Sequence, residues 1–291
     1  MHPDQGESSD GALFLQQMAL PDSLPGPLPT RLATLAPGVP ASSSEILPVA
    51  LGTAAVLAAA AALSAWACLS DGSQLCGKNL VAPPDPGQVA LTFDDGPNPA
   101  VTPHLLDLLS RHNVRATFFL IGTHVQHEPA LTRRIAAAGH RIGNHTMNHP
   151  WLPRHGSRTI RAELAACNDV LEQILGEPVT LFRAPHGARR PAVLRIARSL
   201  GLATVQWNLI VGDWKPIPAD EILRRIQRGI ERNGRPGFGQ LQGAGTGTNV
   251  VLHDGGQHTL SAERMPTVQA VRQLLELSPP GTTFVQPPDW R

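Results

Sequence analysis

"VALTFDDGPNPAVTPHLLDLLSRHNVRATFFLIG" (residues 89–122) holds the fold in miniature. A short β-branched and aromatic run, Val89 to Phe93, stops at Asp94-Asp95-Gly96-Pro97. Leucines at 105, 106, 108 and 109 then recur at helical spacing, and "ATFFLIG" is again strand-like. Strand, turn, amphipathic helix and strand make a βαβ unit, whose strands run parallel because the helix carries the chain back to the starting edge.

The alternation continues downstream. Further strand candidates are "HRIGNH", "TLFRAP", "LATVQWN", "NVVLHD" and "TTFVQ". Between them lie amphipathic segments such as "ALTRRIAAAG", "TIRAELAACNDVLEQIL" and "ADEILRRIQRGIERN". The expected class is α/β, a deformed (β/α) barrel of about seven parallel strands; an open doubly wound sheet is the alternative. One domain over residues 85–288 is the simplest division.

Upstream the composition changes. Residues 1–45 are rich in Pro, Ser and Gly and read as a disordered, flexible tail, with Met18 as an alternative start. Residues 46–69, "ILPVALGTAAVLAAAAALSAWACL", carry no charge and exceed the ~20 residues that span a bilayer. The expectation is an apolar helix acting as a membrane anchor. A signal segment cut after Ala65-Trp66-Ala67, or a buried Ala-rich helix, are its competitors. Residues 70–84 read as a linker.

With 24 basic and 23 acidic residues the net charge is +1, which argues for no nucleic-acid partner. Cys68, Cys76 and Cys167 fit neither a zinc ribbon nor a disulfide framework. Cys68 and Cys76 are near enough in sequence to pair in an exported protein, and Cys167 reads as a small buried side chain.

In α/β folds chemistry gathers at the carboxyl ends of the strands. There this chain places Asp94, Asp95 and Pro97; His145 and His149 in "NHTMNHP"; Arg183 and His186 in "RAPHG"; Asp213 and Trp214 in "GDW"; His253 and Asp254 in "LHDG". The His145–His149 spacing suits two imidazoles on one face of a helical turn. With an adjacent carboxylate they leave one position open, the catalytic kind of zinc site. Of two neighbouring acids, one can then bind the metal while the other faces its water as general base. Each residue alone also has a bland reading. The acids could be a solvated turn, Arg183 a surface ion-pair partner, Trp214 core, and an HxxxH among 12 histidines an accident.

Together the motifs "TFDDG", "HTMNH", "RAPHG", "DW" and "VLHD" resemble those of the polysaccharide deacetylase family, the NodB-homology or carbohydrate esterase 4 family, over roughly residues 85–288. The resemblance implies a metal-dependent hydrolase that removes N-acetyl groups from an amino-sugar polysaccharide and releases acetate. It implies that Asp94 is the base and that Asp95, His145 and His149 hold one divalent ion. That ion is most often zinc, with cobalt, nickel or manganese as alternatives. Arg183 would hydrogen-bond the base and keep it ionised. Asp213 would pair with His253, the acid. The His186 N–H would serve the oxyanion, and Trp214, Leu252 and Pro97 would line the substrate pocket.

Two departures stand out. His186 replaces an aromatic residue, and Ile210 stands where a further acid often precedes the Asp-Trp pair. O-deacetylation of xylan, or a catalytically silent carbohydrate-binding relative tethered to the membrane, are the competing functions. A bacterial envelope enzyme with its domain outside the cytoplasm is the expected location. The Gly-rich stretch 232–249 reads as a mobile rim over the site.

Overall fold

The computed structural model describes residues 43–69, 73–74, 77–235, 245–287 and 289. The chain divides into two compact units, Met1–Val56 and Leu57–Arg291. Most of the tail lies outside the described residues, as do residues 236–244 of the Gly-rich stretch and Cys76.

An apolar helix, α1 (Ser43–Leu69), is present. Its described side chains, at 51–64 and 66, are exposed, which removes the buried-helix reading. The membrane anchor finds no support either. Among the described residues no helix is long and apolar enough to cross a membrane.

In the second unit the strands are β1 (Gln88–Gly96), β2 (Thr117–Leu120), β3 (Arg141–Asn144), β4 (Leu181–Phe182), β5 (Ala203–Thr204), β6 (Leu209–Ile210), β7 (Thr248–His253) and β8 (Thr283–Phe284). They pair in parallel in the order β5-β4-β3-β2-β1-β7-β6, with β8 added to β1. The sheet curls into a deformed half-barrel, as the sequence predicts. β6 was not foreseen, because it follows β5 with no helical segment between to set the two apart. Asn249 Nδ2 reaches the Gln206 carbonyl (2.5 Å) and helps tie β7 to the segment after β5.

The crossover helices are α2 (Thr102–Arg111), α3 (Gly122–His127), α4 (Pro129–Ala137), α5 (Ser157–Leu175), α6 (Pro191–Ser199), α7 (Ala219–Gly234) and α8 (Met265–Leu277). Period-2 alternation decides which strand residues meet them. Val89, Leu91 and Phe93 on β1, with Phe118 and Leu120 on β2, join the large core that includes Leu105, Leu108 and Leu109 of α2. Each such fully buried side chain contributes about 1.5–3 kcal/mol. Ala90, Phe119, Leu181 and Val205 form a smaller cluster on the other, inner face. Both faces are therefore buried, which is why the strands read as near-continuous apolar runs. Toward the carboxyl end of β1 the inner face turns polar, at Thr92 and Asp94.

Cys167 is free and buried on α5, and burial pushes its thiol up to about 12, so it is inert.

Candidate active site and metal centre

The site starts with an arginine inside the barrel. Arg183 is fully buried, its guanidinium 4.2 Å over the Phe119 ring. It donates to the Val205 and Gln206 carbonyls and, through Nη1, to Thr92 Oγ1 (2.8 Å) and Asp94 Oδ1 (2.8 Å). Such a charge survives burial only when paired and hydrogen-bonded this fully. Asp94 thus has one oxygen tied to Arg183, while Oδ2 lies 3.9 Å from His145 Nε2.

Beyond Asp94 the register of β1 slips, and Asp95 adopts a left-handed φ of 70°. The slip turns two neighbouring carboxylates in different directions. His124, on α3, bonds the Asp95 carbonyl through Nδ1 (3.0 Å), and Gly255 packs so closely there that a Cβ would strike the same oxygen. Of the five non-glycine residues with positive φ among the described residues, Asp95, Thr146, His149 and His186 belong to this site. Strain gathered this way is typical of functional positions.

His145 and His149 do not share a helical turn. They lie in the loop after β3, where Thr146 and His149 have φ of 67° and 56°. Asn144 Oδ1 accepts the Thr146 N–H (2.7 Å), and Thr146 Oγ1 accepts the His149 N–H (3.0 Å). These side-chain turns outcompete helical bonding. Asn144 Nδ2 is itself anchored to Leu164 O and Asn168 Oδ1 on α5, and Glu163 accepts from Asn148 twice.

The His145 Nδ1–H donates to the Arg183 carbonyl (2.8 Å), which fixes the tautomer and leaves Nε2 as the lone-pair donor. The Nε2 atoms of His145 and His149 stand 3.4 and 3.2 Å from Asp95 Oδ1. That oxygen is buried and has no hydrogen-bond partner among the described residues. One ligand atom from each residue falls within 4.8 Å of the others. Ligands at ~2.0–2.1 Å from a tetrahedral zinc are ~3.3 Å apart, so the spacing fits such an ion. Burial alone would raise the Asp95 carboxyl, but His149 and His145 outweigh it and hold it well below the usual range. The donor set therefore fits a divalent cation.

Across the sheet, His253 on β7 pairs in register with Asp94 on β1. Asp213 Oδ1 accepts from His253 Nδ1 (2.8 Å), while its Oδ2 accepts the His253 N–H (2.8 Å) and Thr267 Oγ1 (2.9 Å). Burial works against the imidazolium, yet Asp213 prevails and raises His253 to about 9. Trp214, 41% exposed, sets its ring 5.2 Å from that of His253. His186 stands at the rim in a left-handed turn, its ring 4.6 Å from that of His149.

Two expected lining residues are buried. Leu252 is fully buried in the helix-side core, in register with Phe93, so alternation turns Val251 rather than Leu252 to the inner face. Pro97 is buried in the turn that leaves β1 through a cis Gly96–Pro97 bond, beside Asn98, which donates to the Asp254 and Ala262 carbonyls. Sequence reasoning did not find His124, Asn144, Glu163 or Thr267. Only Asn144, directly before "HTMNH", carried a signal, as a turn-forming residue at a strand end. Asp254 is buried behind Gly96, bonded by Thr102, and burial raises it to about 7.

Known proteins resemble this chain. The family model "Polysaccharide deacetylase" matches residues 82–205. A chitooligosaccharide deacetylase of Bradyrhizobium sp. is 37% identical over 195 residues, 66% of this chain and 83% of that one. A peptidoglycan-N-acetylglucosamine deacetylase of Bacillus cereus is 35% identical over 200 residues, 68% and 84% of the two chains. Among solved structures, the Bc1960 peptidoglycan N-acetylglucosamine deacetylase superposes with a TM-score of 0.60 at 29% identity, covering 72% of this chain and 90% of that one. With its strand order, its ligand-like cluster and these relatives in agreement, the chain belongs to the polysaccharide deacetylase family of hydrolases.

Proposed function

We propose that this chain hydrolyses the N-acetyl groups of an N-acetylated amino-sugar polysaccharide of the bacterial envelope, releasing acetate and a free amine. Asp95, His145 and His149 would hold one divalent ion, zinc by the chemistry of the donor set. Asp94 is assigned as base and His253 as acid. The observation that carries this reading is the in-register pairing of Asp94 with His253 beside the Asp95–His145–His149 cluster. It would give a proton acceptor and a proton donor at one strand end, beside a candidate metal-binding cluster built from the end of β1 and the loop after β3.

A divalent ion in this cluster supplies a Lewis acid and water acidified toward neutral pH. Asp94 accepts the proton of the attacking water on Oδ2, since Arg183 occupies Oδ1. His253 has Nδ1 committed to Asp213, so Nε2 is the nitrogen that delivers a proton to the departing amine as the amide C–N bond breaks. The His186 N–H is the candidate donor to the developing oxyanion, and one preorganised donor is worth about 3–4 kcal/mol. Its turn continues into Gly187, φ 64°, where a Cβ would meet Gln206 at 2.5 Å and Trp207 at 2.7 Å. Trp214 offers an apolar face beside His253 for the acetyl methyl.

Such a polymer lies outside the cytoplasm, and the catalytic domain is assigned there with it. Mass spectrometry after incubation with chitooligosaccharides, peptidoglycan strands and acetylxylan tests the reading. Acetyl loss from the amino sugars is expected. Loss from acetylxylan alone would make the chain an esterase, and loss from none would make it a silent relative.

A further inference from the structure

Outside the reacting groups, a line of side chains that the reaction does not use leads away from the metal cluster. The ring of Trp151, half-buried, lies 5.1 Å from that of His186, which in turn lies against His149. Next in the chain come Arg154, in the short helix Leu152–Arg154, whose backbone N–H bonds the Trp151 carbonyl (3.1 Å), and Arg158, in the first turn of α5; both are exposed. Arg190, which directly precedes α6 just after the His186 turn, closes the group. Its Nη2 donates to the His155 carbonyl (2.6 Å), and its buried Nε has no partner among the described residues.

The segments that carry these arginines are basic in sequence, with Glu163, bonded to Asn148, the next acid along. Residues 150–162 and 178–212 contain no Asp or Glu. Among the described residues, none of the ion pairs involves Arg154, Arg158 or Arg190. In a chain of net charge +1, three arginines without an ion pair among the described residues are a local feature and do not reflect overall basicity. An aromatic face suits the apolar C–H face of a sugar ring, while arginine forks suit carboxylates.

Resting on the deacetylase reading, we propose that Trp151, Arg154, Arg158 and Arg190 form a binding ledge for the sugar units next to the one deacetylated, selective for glycans that carry carboxylates. Trp151 supplies stacking for any pyranose. The arginines discriminate. A chitooligosaccharide offers them no anion, whereas a peptidoglycan strand offers the carboxylates of its lactyl-peptide substituents.

The test compares initial rates and calorimetric binding for a neutral chitooligosaccharide and a peptidoglycan strand, at low and high salt. Trp151→Ala should cut kcat/KM on both by about tenfold, mainly through KM, and Trp151→Phe should restore most of it. Arg154→Gln combined with Arg158→Gln should lower the preference for the peptidoglycan strand by about two- to tenfold and flatten its salt dependence. Arg272→Gln on α8, exposed and outside the ledge, is the charge-matched control and should change nothing. The ledge is overturned if the double variant loses both substrates equally or keeps the wild-type preference. It is also overturned if the double variant loses only sedimentation with phosphatidylglycerol vesicles, which would make the arginines a lipid-binding surface. Calorimetry reads the ledge without turnover. Absent acetate release with preserved, arginine-dependent binding would count against the deacetylase reading alone, and release without arginine-dependent preference against the ledge alone.

Discussion

Asp213 accepts two bonds from His253 and one from Thr267, so its carboxylate is held where it stabilises the imidazolium. The folded value near 9 lies above the ordinary 6.5, so the stabilisation from this pair is complete below pH 6.5 and is lost as pH rises through about 9. An acid of this kind predicts activity that persists to pH 8 and falls through about 9. In Asp213→Asn the alkaline limb of the kcat/KM profile should move down toward 6.5, a shift that simple loss of packing would not produce. Asp94→Asn should lower kcat by about 10²–10⁴ while leaving bound metal unchanged by elemental analysis. At this scale the sequence was highly legible where chemistry demands a residue type: Asp94, Asp95, His145, His149, Arg183, Asp213 and His253 all converge. Side-chain direction was not legible. Leu252 is one residue out of phase with the inner face, and alternation along a strand is invisible without knowing which residue faces in. His124 was silent because its partner is a backbone carbonyl made available by the turn at Asp95.

The loop after β3 shows how an element, rather than a motif, makes the site. Its four-residue histidine spacing suggested a helical turn, yet Asn144 and Thr146 bond the backbone first and drive Thr146 and His149 to positive φ. The same spacing therefore serves the proposed metal site through a different geometry. Asn144→Ala should free this loop and weaken divalent-metal affinity by about 10–100-fold, as measured by competition with a chromogenic chelator, because it removes support for two ligands and touches neither. The strand-helix alternation was easy to read because helical and strand periods differ over windows of ten or more residues. β6, which follows β5 with no helix between, escapes that reading and is fixed by its parallel pairing with Val250 and Val251.

At the scale of the whole domain, Arg183 plugs the barrel and joins the inner face of β1 to the segment after β5. Arg183→Met would leave Asp94 buried without its counter-charge, a loss of about 3–5 kcal/mol. Thermal unfolding should show a clear fall in Tm, about 2–4 °C per kcal/mol for a domain of this size. Leu80 adds a parallel bridge to Val205, and Arg189 donates to the Ser73 carbonyl, contacts that a linker reading of residues 70–84 does not anticipate. A chain begun at residue 82 should therefore unfold at a lower temperature than one begun at 73. The central claim is that one divalent ion, clasped by Asp95, His145 and His149, is required for acetyl removal. Its most direct test is acetate release from a chitooligosaccharide before chelation, after chelation, and after return of one equivalent of zinc. The account predicts loss on chelation and recovery at one equivalent, with no recovery in Asp95→Ala; undiminished release from metal-free protein would contradict it.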